Sequence, residues 1–427
     1  MKIIKKIALT LLTLVAIYAV GRYSVVMYDS YAFVERMPYL QMQTTNSIVL
    51  KWQTPKKEIG CVTYTKNNTL YHDRKICDTR ATKIHRIQID NLKPDTSYNY
   101  SVLSDSLEID NSHRYFSTLS IKKDATQRIL VFGDSGKRGK DQTKVYNEAL
   151  GYLKNNKLNL WLLLGDNAYR SGTQEQYNKN MFEPYKEVVK YLVPWAINGN
   201  HDARRLAFYN IFEFPTNAES GGVASGSEKF YAIDSGNLHL VMLDSQSENL
   251  GANAAMAKWL EKDLAQVSQQ WIVVAFHHPP YTDGSHNSDK TSDSGGRLVE
   301  VRQEILPILE KYGVDLVLSG HSHGYERSKL MHKHYQDSSH FNEHTHLVQN
   351  SNHNYKKYHD KTQHDGTIYN VIGSSAKVDN ADYKHPALPF SYAKMGSVLL
   401  TITNHELKSE FITIDGDVQD YFSITKE

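Results

Sequence analysis

The pattern of apolar and polar positions divides the chain into a short apolar leader, a strand-rich segment and a longer segment of mixed type. Between residues 38 and 120 apolar and polar side chains alternate, most clearly at 47–52 and 83–89. Alternation of this kind is typical of half-buried antiparallel strands. We therefore predict a small β-sandwich over residues 38–120, with a scaffolding role favoured over ligand binding.

A turn sequence inside this segment sharpens the prediction. Residues 92–97 read LKPDTS and precede an alternating stretch that contains Tyr98 and Tyr100. The combination resembles a fibronectin type III-like sandwich, in which a tyrosine near the start of a strand closes a corner.

From residue 128 onward, short apolar runs end in Gly- or His-rich turns. We predict these runs to be buried strands, at 129–132, 160–164, 194–197, 271–276 and 314–318. Predicted helices at 142–153, 254–266 and 298–312 lie between several of them. Strands that alternate with helices indicate an α/β sheet covered on both faces. Two hairpin patterns, at 230–243 and 396–414, favour mixed sheets, and we expect one α/β domain over residues 126–420.

The first 21 residues have the pattern of a targeting segment. The basic stretch MKIIKK precedes an apolar run over 7–20 and small residues at Ala19 and Gly21. This run is shorter than the ~20 residues that cross a bilayer. A cleaved signal peptide is the favoured interpretation and an uncleaved membrane anchor the alternative. Both place the body outside the cytoplasm, as a secreted, periplasmic or outward-facing anchored protein.

Composition excludes several classes of protein. The 427 residues are 40% hydrophobic and 22% charged, which excludes a disordered chain and a multispan membrane protein. The net charge of +2 leaves no polycationic surface, so no nucleic acid is expected as a partner. Two cysteines cannot build a Cys-only zinc site. Cys61 and Cys77 pair in an oxidising compartment or stay as two free thiols.

Histidine is concentrated in one segment. Residues 331–365 hold eight of the 20 histidines and few aliphatic side chains. We expect a solvated surface insertion there, and a metal-holding or pH-sensitive loop is the alternative.

Polar motifs follow five of the predicted strands, at the edge where open α/β sheets bind ligands. Their glycines let the chain turn sharply, and their side chains are those that bind metals. The motifs are Gly133-Asp134-Ser135-Gly136, Gly165-Asp166-Asn167-Ala168-Tyr169, Gly199-Asn200-His201-Asp202, Val274-Ala275-Phe276-His277 and Gly320-His321-Ser322-His323.

This series resembles the calcineurin-like metallophosphoesterase superfamily. Tyr169 narrows the resemblance to the purple acid phosphatases, which often carry a fibronectin-like domain in front. The likeness implies a metallophosphoesterase fold of mixed sheets flanked by helices, with a dinuclear metal centre. One metal would be held by Asp134, Tyr169 and His323, and the second by Asn200, His277 and His321, with Asp166 as a bridge. The anionic first set suits Fe(III), and the mostly neutral second set suits a divalent Zn, Mn or Fe.

The resemblance also implies a reaction. Metal-bound hydroxide would attack the phosphorus of a small phosphomonoester, and His201 or His286 would protonate the leaving group. The expected activity is that of an acid phosphatase. A phosphodiesterase or nucleotidase on the same metals is the alternative, and a non-catalytic surface binder is disfavoured because it would not need seven metal-ligating residues.

Overall fold

The computed structural model describes residues 2–67, 74–154, 156–358 and 365–427. In these residues an N-terminal helix leads to a small all-β unit and then to a larger α/β unit. The α/β unit contains two mixed seven-stranded sheets that share one hydrophobic core. The predicted architecture, mixed sheets flanked by helices behind a small all-β sandwich, is confirmed.

The all-β unit consists of two antiparallel sheets, of three and four strands. Its strands are β1 (Arg36–Gln41), β2 (Ile48–Glu58), β3 (Cys61–Lys66), β4 (Arg74–Cys77), β5 (Thr82–Ile89), β6 (Ser97–Leu103) and β7 (Tyr115–Ser117). The expected corner is present, because the Lys93 amide donates to the Tyr98 hydroxyl at 2.9 Å. Cys61 and Cys77 lie opposite each other on β3 and β4 and form a disulfide.

The first large sheet, called sheet I, has the order β10-β9-β8-β19-β20-β21-β16. Its members are β8 (Gln127–Phe132), β9 (Leu160–Leu163), β10 (Pro194–Ala196), β16 (Asn354–Lys357), β19 (Gly396–Ile402), β20 (Glu406–Thr413) and β21 (Val418–Lys426). Strands β8, β9 and β10 run parallel, so their carboxyl ends lie at one edge.

The second large sheet, sheet II, has the order β11-β12-β13-β14-β17-β15-β18. Its members are β11 (Phe230–Ser235), β12 (Leu238–Leu243), β13 (Trp271–Phe276), β14 (Leu316–Ser319), β15 (Tyr325–Arg327), β17 (Ile368–Ile372) and β18 (Phe390–Tyr392). Here β12, β13, β14 and β17 are parallel. The predicted hairpin is the antiparallel pair β11–β12.

The helices are short apart from the first two. They are α1 (Lys2–Tyr31), α2 (Lys140–Leu153), α3 (Gln174–Tyr177), α4 (Ala207–Ile211), α5 (Ala255–Leu264), α6 (Arg297–Glu300), α7 (Leu306–Lys311) and α8 (Glu343–His346). The single helix expected over 298–312 is interrupted by a π-helical turn at Val301–Ile305. Pro307, which has no backbone N–H to donate, follows this turn at the start of α7.

A buried ion pair ties the two large sheets together. The Arg327 guanidinium on β15 donates to the Asp420 carboxylate on β21 at 2.6 and 2.9 Å, and both side chains are buried. The Tyr325 hydroxyl donates to the same carboxylate at 2.8 Å. Removing one partner of such a pair leaves an uncompensated buried charge. Arg327 therefore has a structural role.

The N-terminal helix extends beyond the leader expected from the sequence. It continues through Gly21 because a second apolar patch follows Arg22, and Leu9–Tyr31 is long and apolar enough to cross a membrane. Its end contacts the α/β unit. The Leu206 amide donates to the Ser30 hydroxyl at 2.9 Å, and Arg205 pairs with Asp29 at 2.9 Å. These contacts hold the last turn of the helix against α4.

The expectation of a solvated insertion over 331–365 is wrong for its first part. Met331 and His334 are buried, and the His334 ring stacks on that of Tyr281 with 5.4 Å between centroids. Burial lowers the pKa of His334 to about 3, so the neutral ring packs as an aromatic side chain. Further along, β16 adds a strand to the edge of sheet I. His359 and His364 lie outside the described residues.

One buried histidine makes the stability of the fold depend on pH. His239 on β12 lies between the carboxylates of Asp234 at 2.7 Å and Asp263 at 2.8 Å. Burial alone would lower the pKa of His239, but the hydrogen bonds to both carboxylates outweigh it and raise the pKa to about 9. The imidazolium form therefore stabilises the folded state.

We predict that the free energy of unfolding falls as the pH rises through about 9. An unfolded histidine titrates near 6.5, so the stabilisation is complete below that pH and is lost above the folded pKa. Its full size is on the order of 3 kcal/mol at ~1.4 kcal/mol per pKa unit. Urea denaturation of the wild type and of His239→Gln should show a pH-dependent difference. The exposed-turn variant His405→Gln should follow the wild type, and a His239→Gln profile parallel to both would contradict the prediction.

Candidate metal centre

Seven predicted ligands converge at the carboxyl edges of the two large sheets. Sheet I supplies groups from the turns after β8, β9 and β10, and sheet II supplies groups from the turns after β13 and β14. The seven are Asp134, Asp166, Tyr169, Asn200, His277, His321 and His323. Because these strands are parallel within each sheet, the turns meet where the sheets approach each other.

Two glycines show how closely the turns approach each other. A Cβ at Gly320 would lie 2.6 Å from Asp134 Oδ2, and one at Gly165 would lie 2.4 Å from His277 Nδ1. Gly165 also has a φ of 95°, which side chains disfavour. Side chains at these positions would push the ligand residues apart.

Three of the seven residues adopt the left-handed backbone region that non-glycine residues rarely occupy. The φ values are 54° at Asp134, 53° at Asp166 and 68° at His321. Such conformations cost on the order of 1 kcal/mol or more each and cluster at functional sites. The fold thus accepts local strain to aim these three side chains into one space.

One group of donor atoms forms a compact triangle. Tyr169 Oη lies 3.1 Å from Asp134 Oδ1 and 3.2 Å from His323 Nε2, and the third side, from His323 Nε2 to Asp134 Oδ1, is 3.5 Å. Ligand atoms placed ~2.1 Å from one metal ion are separated by roughly 3 Å. This triangle therefore has the size of a metal coordination face.

A second triangle is still tighter. Asn200 Oδ1 lies 3.1 Å from His277 Nε2 and 3.0 Å from His321 Nδ1, and the two ring nitrogens are 3.1 Å apart. His277 Nδ1 lies 2.8 Å from the Leu164 carbonyl, which only accepts, so the ring proton is on Nδ1.

In the second triangle, lone pairs of an amide oxygen and of ring nitrogens face one another. His277 Nε2 carries no hydrogen in the neutral ring, and Asn200 Oδ1 is an acceptor. At most one hydrogen, on His321 Nδ1, is available to these three atoms, two of which belong to the buried rings of His277 and His321. Buried acceptors without donors are costly, and a cation among them removes that cost. The donor set thus fits a metal ion.

Asp166 lies beside both triangles and adds a second carboxyl group to the pocket. Its Oδ1 is 3.6 Å from His277 Nε2. Burial and the charge of Asp134 raise the pKa of Asp166 to about 8. Burial and the two carboxylates raise the pKa of Tyr169 well above its usual value of 10. A metal ion would reverse both shifts because it favours the deprotonated oxygens.

The two predicted catalytic histidines lie beside the triangles but have different partners. His201 Nδ1 lies 2.7 Å from the Arg170 carbonyl, and burial lowers the pKa of His201 to about 4. His286 Nδ1 lies 2.8 Å from an Asp293 carboxylate oxygen. The His286 ring stacks on that of His321, with 3.8 Å between centroids.

The structure adds residues that the sequence interpretation missed. Asp379 Oδ2 lies 2.5 Å from His323 Nδ1, so it orients that ring, and Lys377 pairs with Asp379 at 2.9 Å. Ser294 Oγ lies 2.6 Å from His321 Nε2. None of these residues follows a predicted strand, so no motif marked them.

Comparison with known families agrees with this geometry. Residues 127–325 match the family model for the calcineurin-like phosphoesterase, and all seven converging residues lie within them. This segment is therefore similar to calcineurin-like phosphoesterase domains. The all-β unit and the strands after β15 lie outside the matched residues.

The chain is similar in sequence to purple acid phosphatases. Purple acid phosphatase 15 of Arabidopsis thaliana is 28% identical over 291 residues, which cover 60% of this chain and 51% of the relative. Purple acid phosphatase 1 of Ipomoea batatas is 28% identical over 309 residues, which cover 66% and 62%. The chain thus spans about half to three-fifths of the length of these relatives.

Solved structures show the same fold. The purple acid phosphatase PPD1 from yellow lupin (Lupinus luteus) seeds aligns with a TM-score of 0.69 at 18% identity, over 92% of this chain and 76% of that structure. The structure of PhoD aligns with a TM-score of 0.62 at 13% identity, over 91% and 88%. The first alignment extends well beyond the phosphoesterase domain, so it includes most of the all-β unit.

We predict that divalent metal ions stabilise the metal-stripped protein and that Asp166→Asn weakens this effect. A ligand at 100 times its Kd stabilises the folded state by about 2.7 kcal/mol per site. Scanning calorimetry with added Zn²⁺ should show a higher Tm for the wild type and a smaller gain for the variant. Asp141→Asn, at an exposed position on α2, should respond as the wild type does. An undiminished gain in Asp166→Asn would contradict a role for this carboxylate in metal binding.

Proposed function

We propose that the protein is a dinuclear-metal phosphoric ester hydrolase that acts on phosphomonoesters outside the cytoplasm. The observation that carries the proposal is the pair of donor triangles with Asp166 beside both. Each has sides of 3.0 to 3.5 Å and contains the residue types that bind metals in purple acid phosphatases, to which the chain is similar.

We assign the ligands by these distances. Asp134, Tyr169 and His323 would hold one ion, Asn200, His277 and His321 the other, and Asp166 would bridge them. The first set contains a carboxylate and a phenol, which favour the hard ion Fe(III). The second set is neutral apart from the bridge and favours a divalent Zn, Mn or Fe. When bound, such a pair supplies Lewis acidity that activates water and holds phosphoryl oxygens.

The two histidines take different roles in this proposal. The Asp293 carboxylate accepts the Nδ1 proton of His286 and fixes the orientation of the ring, and Nε2 would pass a proton to the leaving oxygen. His201 donates its Nδ1 proton to a carbonyl oxygen that carries no full charge, and its lowered pKa keeps the ring neutral. We therefore assign proton donation to His286 and the orientation of the phosphate group to His201.

The arrangement of the chain fits an extracytoplasmic enzyme. We propose that residues 38–120 and 126–420 are separate domains, the first a scaffold closed by the Cys61–Cys77 disulfide. A disulfide of this kind persists in oxidising compartments. A small phosphoester is the proposed substrate, with no nucleic acid as a partner.

The decisive experiment combines spectroscopy with a choice of substrates. Wild-type protein should hydrolyse p-nitrophenyl phosphate faster than bis(p-nitrophenyl) phosphate, and the opposite order would favour a phosphodiesterase. With iron bound, the Tyr169 phenolate should give a visible charge-transfer band. Tyr169→Phe should lose that band, whereas Tyr383→Phe, whose hydroxyl donates to the His323 carbonyl, should keep it. A band that survives in Tyr169→Phe would contradict the ligand assignment.

The N-terminal helix favours a retained anchor over a cleaved signal peptide. Cleavage after Gly21 would leave the exposed Tyr23, Val25 and Tyr28 on a soluble protein. In an anchor these side chains lie in the membrane or at its surface. Lys2, Lys5 and Lys6 precede the apolar span, and basic residues stay on the cytoplasmic side, so the α/β unit would face outward.

We predict that the mature protein keeps residues 1–21. Mass spectrometry of the purified protein should give the uncleaved chain, and the protein should stay with membranes after an alkaline carbonate wash. A mature chain that begins at Arg22 and is released by the wash would show instead that the leader is a signal peptide. The disulfide provides an internal control, because thiol labelling only after reduction shows export in either case.

A further inference from the structure

Ser294 occupies a backbone conformation that a serine adopts only at a cost. Its φ and ψ are 52° and 29°, in the left-handed region, and Gly295 and Gly296 follow with φ values of 65° and 87°. For a residue with a side chain this region costs about 1–2 kcal/mol, whereas glycine occupies it freely. Glycine at position 294 would therefore cost less backbone strain than serine. What serine offers instead is its hydroxyl group.

That hydroxyl group contacts a proposed metal ligand. Ser294 Oγ lies 2.6 Å from His321 Nε2 and 2.7 Å from Asp293 Oδ1. The carboxylate only accepts, so the serine proton is donated to Asp293, and the serine oxygen accepts from His321 Nε2. A neutral imidazole has one proton, so His321 Nδ1 is left with a lone pair directed at the second triangle.

Asp293 links Ser294 to His286, the proposed proton donor. Asp293 accepts from His286 Nδ1 at 2.8 Å and from the Asn287 amide at 2.9 Å. The stacked rings of His286 and His321 are nearly parallel, at 19°. One hydroxyl therefore joins the second metal triangle to the histidine that stands over it.

We propose that Ser294 is a positioning residue that fixes the tautomer of His321 and, through Asp293, the position of His286. The proposal rests on the dinuclear site described above. It assigns a function to the strained turn at residues 293–296, which carries no sequence motif of the phosphoesterases.

A further cation bound by the same residues is the alternative to this hydrogen-bonded arrangement. His286, Asp293 and His321 offer ligand atoms that all lie within 4.8 Å of one another, a spacing compatible with a further cation. His321 would then need to bind metals through both nitrogens, and the serine hydroxyl at 2.6 Å already occupies Nε2. We therefore favour the hydrogen-bonded arrangement.

The test compares Ser294→Gly, Ser294→Ala and the exposed neighbour Ser292→Ala in the full chain. Zn²⁺ affinity of the metal-stripped proteins is measured by competition with a chelator, alongside Tm, kcat and KM. Loss of a hydrogen-bond partner of a ligand typically weakens metal binding 10- to 100-fold. We expect that loss for both Ser294 variants, with a lower kcat and little change in KM. Ser294→Gly should keep or raise the metal-free Tm, and Ser292→Ala should match the wild type.

The outcomes separate this proposal from the proposed function. If the wild type binds no metal, both proposals are overturned. If the wild type binds two metals and Ser294→Gly matches it in affinity and kcat, the serine serves only the loop and this proposal alone is overturned. A third equivalent of Zn²⁺ that binds the wild type but not Asp293→Asn would also overturn this proposal. It would show instead that His286, Asp293 and His321 bind a further cation.

Discussion

The candidate metal centre requires the fold to hold three atoms that carry lone pairs close together. Asn200 Oδ1, His277 Nε2 and His321 Nδ1 lie 3.0 to 3.1 Å apart with at most one hydrogen among them. Nothing in these three groups attracts the others, so the surrounding fold must hold them in place. The paired sheets, the close approach at Gly320 and the Arg327–Asp420 ion pair supply that rigidity. A cation converts the same repulsion into binding energy, which couples metal binding to the stability of the fold.

Much of this site could be predicted from the sequence because its residues follow a local rule. Each motif comes directly after an apolar run, and parallel strands bring the residues after them to one edge. Asp134, Asp166 and His277 were therefore expected together although more than a hundred residues separate the first from the last. The fold class followed from the same alternation of strands and helices. The division of the strands into sheets I and II was harder to predict from the sequence, because β15, β16 and β18 are short strands at or near sheet edges.

The remaining features arise from contacts that no local pattern records. Asp379 and Ser294 reach ligand histidines from loops, and their residue types are common in any loop. His334 looked polar by composition, but a neutral imidazole ring packs as an aromatic group once Tyr281 covers it. Ser30, near the end of α1, is buried because it and Asp29 have partners near α4, 176 residues away along the chain. Composition describes what a segment contains, and burial depends on what the rest of the chain places beside it.

The two histidines beside the site show why partners matter more than residue type. His201 and His286 were both candidates for the proton donor in the sequence, the first inside the Gly199–Asp202 motif and the second nine residues after His277. In the structure the Nδ1 partner is a neutral carbonyl oxygen for His201 and a carboxylate for His286. A carboxylate stabilises the imidazolium, whereas a carbonyl mainly fixes the orientation of the ring. Because a leaving alkoxide needs a proton, we assign proton donation to the ring whose Nδ1 contacts a carboxylate. In the proposed reaction, the different roles of the two rings therefore depend on Asp293, which contacts His286 and Ser294.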